Sequence, residues 1–132
     1  MSEEEAFAIY VSWHLVEKNG LPTTYNYKHV ITLVTTQKPK IEGELRRITI
    51  DFNPAYIKEF YVVGIVYQSM SSISSSYSGL YLPVYVFERE ECATEHIPFL
   101  KENWVKYLKD PSVNVLLERI SIDKIVLPRK DF

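Results

Sequence analysis

Cysteine, histidine and carboxylates crowd together at one place in this chain, Glu88-Arg89-Glu90-Glu91-Cys92-Ala93-Thr94-Glu95-His96. Zinc takes three or four nitrogen, sulfur or oxygen ligands, tetrahedrally in structural sites. Cys92 and His96, four apart, supply two, and His14 or His29 would have to come from elsewhere. An acidic run before a helix accounts for the segment without metal, because negative charge suits a helix start. Asp51 is the next candidate. It ends an extended run, where catalytic carboxylates often sit, and His29 is a candidate neighbour across a sheet. General acid–base work needs hydrogen-bond reach and a tuned pKa, and Asp51 followed by Asn53-Pro54 reads more simply as a turn. The serines between Ser69 and Gly79 lack the flanking glycines of a nucleophile elbow. There is no Gly-rich phosphate loop, and the chain holds four glycines in all. The expectation is a protein with no catalytic residue, no metal site and no cofactor.

Two patterns point to binding instead. Phe60-Tyr61-Val62-Val63-Gly64-Ile65-Val66-Tyr67 and Leu80-Tyr81-Leu82-Pro83-Val84-Tyr85-Val86-Phe87 are aromatic-rich extended runs. Strict alternation puts Tyr61 and Tyr67 on one side of the first run and Tyr81, Tyr85 and Phe87 on one side of the second. Such a face either pairs across strands within the fold or anchors a partner. The second pattern is basic: Lys38, Lys40, Arg46 and Arg47 lie within ten residues around Glu42-Gly43. Converging there, they would hold a few phosphates, with Lys124, Arg129 and Lys130 extending the patch if the last strand lies nearby. Glu42 and Glu44 dilute it, and a solvated, charge-guarded hairpin is the competing explanation.

The elements that must position these residues follow from period and punctuation. Residues 6–16 alternate, with Phe7, Ile9, Val11, Trp13 and Leu15 on one side, which argues strand over helix. Asn19-Gly20-Leu21-Pro22 breaks the chain. Residues 25–36 alternate again, placing Tyr25, Tyr27, His29, Ile31, Leu33 and Thr35 together. A turn at 38–43 leads to a strand at 44–52, and Pro54 suits one short helical turn. The aromatic strands follow at 60–68 and 80–88, with the serine stretch 69–79 as the loop between them. Pro83 cannot donate to a ladder, so its strand is expected at an edge or with a bulge there. Ile97, Leu100, Trp104, Tyr107 and Leu108 share a face of a helix over 94–109, with Thr94 or His96 as cap and Pro98 in its first turn. Residues 112–119 read as either a short helix or a strand, and 120–127 as a final strand.

This order predicts one α+β domain over 1–132, with a largely antiparallel sheet of five or six strands and one main helix on one face. Three strands, a helical turn and two more strands loosely resemble an oligonucleotide-binding barrel, which would imply a partly closed sheet.

Totals narrow the function. The net charge is −2, against bulk electrostatic capture of nucleic acid. A single cysteine excludes an internal disulfide and suits a reducing compartment. The acidic start and the short apolar runs predict no signal peptide and no membrane span, hence an intracellular, cytoplasmic protein. Scarce Gln, Cys and Met beside abundant Lys and Glu match thermophilic composition, similar to that of small proteins of heat-loving archaea and their viruses. One helix covers one side of such a sheet, so the other side's apolar surface asks for a partner. The expected function is therefore non-enzymatic association, most simply a homodimer, through the aromatic face or the edge of strand 80–88. The alternative is a small nucleic-acid-binding module using the same rings and Lys38, Lys40, Arg46 and Arg47.

Overall fold

A computed structural model describes residues 7–17, 24–41, 43–54, 58–72, 75–108 and 114–126. Their elements run β1 (Phe7–Glu17), β2 (Thr24–Thr35), β3 (Glu44–Ile50), β4 (Glu59–Ser72), β5 (Ser75–Phe87), α1 (Glu90–Asn103), a 3-10 turn (Trp104–Tyr107) and β6 (Asn114–Val126). The class is α+β. The six strands form one mixed sheet in the order β3-β1-β2-β5-β4-β6. All neighbours are antiparallel except β2 and β5, which pair in parallel over Thr24–Asn26 and Ser76–Ser78.

The sheet is not closed, so the barrel expectation does not hold. It folds over itself instead. Ile9 and Val11 of β1, with Ile48 and Ile50 of β3, pack against Phe60 and Val62 of β4 and Val86 of β5. The opposite face of β4–β5–β6 takes α1, whose Ala93 and Leu100 are fully buried on Val63, Ile65 and Val84. Burying each large apolar side chain is worth about 1.5–3 kcal/mol, so both coverings stabilise strongly. The doubling of the sheet therefore supplies the second lid that one helix cannot.

Bulges set which side chain goes where. Thr32 is skipped between the pairs Ser12–Leu33 and Trp13–Ile31, and its hydroxyl donates to the Ser12 carbonyl at 3.3 Å. Val84 is skipped beside Pro83, as its missing N–H leads one to expect. Glu118 is skipped opposite Val66 and Tyr67. Beyond each one the alternation changes phase. Leu33 and Thr35 thus leave the face of His29 and Ile31, against the strict-alternation expectation.

Other expectations are corrected as well. The serine stretch is not a loop: β4 runs to Ser72 and β5 starts at Ser75, paired with each other. Ladders to β6 at Ser69 and Met70, and to β2 at Ser76–Ser78, satisfy its backbone, and a polar sequence does not forbid that. β5 lies between β2 and β4 and is not the sheet edge. α1 begins four residues early, with Glu90 and Glu91 in its first turn and no side-chain cap, so Pro98 sits in its interior. The ambiguous 112–119 segment is strand from Asn114 onward, because β4 is long enough to pair with all of it. The Asn19-Gly20 break, most of the turn after Pro54, and Arg129 and Lys130 fall outside the described residues. Among the described residues, no helix is long and apolar enough to cross a membrane.

Candidate interaction surface

The rings expected on one face divide between two. Cross-strand neighbours share a face, and Tyr61–Phe87, Val63–Tyr85 and Tyr67–Leu80 are such pairs. Tyr61, Tyr67, Tyr85 and Phe87 are half-buried on the helix side, packed around Val63, Ile65 and Leu100. Tyr85 stacks on Phe87 at 5.9 Å and meets His96 of α1 edge-on at 4.4 Å. Its hydroxyl lies 2.7 Å from that of Tyr107, tying β5 to the 3-10 turn. Burial, then the bond and charge of Tyr85, push the Tyr107 phenol up to about 12. Burial among these rings lowers the His96 pKa. These aromatics attach the helix to the sheet.

Tyr81 goes to the other face, because the Val84 bulge shifts it out of phase with Tyr85. There it is 3% exposed. Its ring lies flat on His29 of β2, with centroids 3.9 Å apart and planes 6° from parallel, and meets Trp13 edge-on at 5.9 Å. Gly64 of β4 makes room for it: a Cβ there would come within 2.5 Å of Tyr81 Cζ and 2.6 Å of its oxygen. His29 Nε2 donates to Oδ2 of Asp123 on β6 at 3.2 Å. The His29 side chain is 9% exposed and that of Asp123 35%. Ser121 shares this face, and its hydroxyl and that of Tyr81 are buried without a well-aligned hydrogen bond. Burial, then the Asp123 charge, hold the Tyr81 phenol above its ordinary range. The cluster links β2, β5, β4 and β6 through one polar seam. Asp51, the expected partner of His29, is instead an exposed residue of the bend after β3. The real partner, Asp123, is 94 residues away in sequence and carries no local signal.

The basic residues are divided between faces. Arg46 and Arg47 are adjacent on β3 and point to opposite faces. Arg47 lies with Lys38, Tyr10 and Leu45 around a shallow cleft of about 310 Å³ on the outer face of β1–β3. Arg46 lines a separate cleft of about 370 Å³ with Trp13, Glu44 and Tyr67. Lys40 is exposed on the connection before β3. The four cations therefore form no single patch beside the helix-side rings. Cys92 and His96 both lie on α1. Among the described residues, no three His, Cys, Asp or Glu side chains are grouped to hold a metal.

Two kinds of surface remain uncovered by other described elements. One is the outer face of β1–β3, where Val16, Val30 and Leu33 are exposed. The other is the free edge of β6, a 13-residue strand that pairs with β4 alone among the described strands. Leu116 and Val126, toward its two ends, are the most exposed large apolar residues described. Between them run Glu118, Arg119, Asp123 and Lys124. Lys124 bonds Glu59 at 3.0 Å, and Glu118 accepts the Gly79 N–H at 2.9 Å. The signal for this strand is present in the alternation of residues 120–127, but edge or centre is a property of strand order.

Comparison with protein-family models, with curated proteins and with solved structures matches nothing to this chain.

Proposed function

We propose that this protein is a non-enzymatic association module that joins another copy of itself through its sheet. The observation that carries this reading is the edge of β6, which pairs with β4 alone among the described strands. A long strand with one unpaired side presents a row of backbone donors and acceptors, a ready template for another strand. The other end of the order, β3, offers a seven-residue edge. The helix-side rings are half-buried in the fold, so the docking role moves from them to the strand edge. His29, the histidine placed beside a carboxylate, is almost enclosed and occupied by Asp123, which supports a structural role for that pair. Sedimentation velocity over a concentration series tests the reading. Association rising with concentration is expected, and a sedimentation coefficient fixed at the monomer value up to about 1 mM would refute it.

A further inference from the structure

The sequence of β6 is its own complement when read backwards. About Ser121 as centre, Ile120 mirrors Ile122, Arg119 mirrors Asp123, Glu118 mirrors Lys124, Leu117 mirrors Ile125 and Leu116 mirrors Val126. Two antiparallel strands related by a twofold axis at Ser121 place Arg119 opposite Asp123 and Ile120 opposite Ile122; beyond the bulge at Glu118 the mirror holds in sequence only, since Leu117 packs on the helix side and Ile125 on the other face. Arg119 and Asp123, the charges of that regular stretch, then each meet their opposite. A shift of one register opposes Arg119 with Lys124, or Glu118 with Asp123. Parallel in-register pairing puts like on like throughout. Charges on an edge strand ordinarily keep other strands away; in this order they repel the neighbouring registers and favour one.

We infer that the free edge of β6 binds a second copy of this chain, antiparallel about Ser121, with Arg119 of each copy on Asp123 of the other. This rests on the self-association proposed above and specifies its surface and register. The geometry is compatible. Arg119, Ser121 and Asp123 stand on one face of β6, and Ile120 and Ile122 on the other, beside the helix. The Arg119 side chain is 58% exposed, and its charged neighbour among the described residues is Glu118 of its own strand, at 4.0 Å. Asp123 holds His29 through Oδ2 and its side chain is still 35% exposed, so an incoming guanidinium can reach the carboxylate. The bulge at Glu118 ends the regular stretch, so the shared ladder is Arg119 to Asp123, with Glu118 and Lys124 at its margins. An interface this short belongs to the weak class, below about 1,200 Å². The joined edges would extend the six-stranded sheet across two copies.

The test exploits charge exchange. Arg119→Asp alone sets the introduced carboxylate against Asp123 twice in a dimer, and Asp123→Arg alone sets the introduced guanidinium against Arg119 twice. Each should weaken dimerisation by about tenfold or more. Mixed together, the two variants form a heterodimer in which one strand carries two carboxylates and the other two guanidinium groups, so both pairs are again opposite in sign and association should return. Circular dichroism checks that each variant is folded. A second route avoids disturbing Asp123: Ser121→Cys in a Cys92→Ser background should yield a disulfide-linked dimer on mild oxidation, since directly opposed residues lie within disulfide reach. Dimerisation by wild type that ignores Arg119→Asp, together with no cross-link at position 121, would overturn the register and leave self-association standing on another surface. A monomer at every concentration would overturn both.

Discussion

Replacing Gly64 by alanine tests the packing of the polar seam directly. The added methyl enters the space of the Tyr81 ring, near Cζ and the phenolic oxygen. That ring has nowhere easy to go: it is 3% exposed, stacked on His29 and met edge-on by Trp13. Overpacking of this kind costs about 1–3 kcal/mol. Glycine inside a strand is itself unfavourable relative to alanine by about 0.5–1 kcal/mol, which offsets part of that. The net expectation is a loss of about 1–2 kcal/mol. With a urea dependence of about 1.5 kcal/mol per molar, reasonable within the range for small domains, the midpoint should fall by about 1 M at unchanged slope. Equilibrium urea unfolding followed by far-ultraviolet circular dichroism measures it. In a Tyr81→Leu background the methyl has room, so Gly64→Ala should there be neutral or slightly stabilising. A Gly64→Ala variant as stable as wild type, or one that loses as much in the leucine background, refutes the claim that Gly64 is there to seat this ring.

The remaining predictions concern the same seam and the helix lid. His29→Phe keeps a ring against Tyr81 and loses the donor to Asp123, and should cost about 1 kcal/mol. His29→Ala loses the stacking too and should cost about 1 kcal/mol more; equal urea midpoints for the two would show that the stack contributes nothing. The phenols of Tyr81, Tyr67 and Tyr107 are all raised above their ordinary value of 10.0, the last to about 12. The folded state therefore prefers them protonated, so their contribution is complete below pH 10 and drains away as pH climbs toward 12 and beyond. Thermal midpoints should fall over that range, and Tyr81→Phe should flatten the fall; an identical slope in the variant would remove Tyr81 from the explanation. His96, lowered by burial, works in the opposite sense, with stability present above pH 6.5 and declining as pH drops below it.

Much of the fold is legible residue by residue. Alternation in Phe7–Leu15 places Ile9, Val11 and Trp13 inward, and they are buried. Pro83 announces an interruption of its ladder, and a bulge lies beside it. Leu100 marks the inward face of the helix and is fully buried there. Less is legible in the candidate site. Alternation groups Tyr81 with Tyr85 because Pro83 marks an interruption between them without saying that an extra residue shifts the phase. Small polar residues usually mark turns, so the serines at 69–78 read as a loop, although the ladders that hold them need only backbone. Asp51 draws the attention that belongs to Asp123, since proximity to a strand end is visible in sequence and a partner across four strands is not.

Sequence by itself determined most of the strands, the one long helix and the self-complementary order of β6, because period, proline and charge act over a few neighbouring residues. Tertiary structure decided that the sheet folds over on itself, that bulges change the phase of the side chains, and that β6 stands at the end of the described strand order. Those outcomes depend on contacts between residues far apart in the chain, whose energies no local pattern contains.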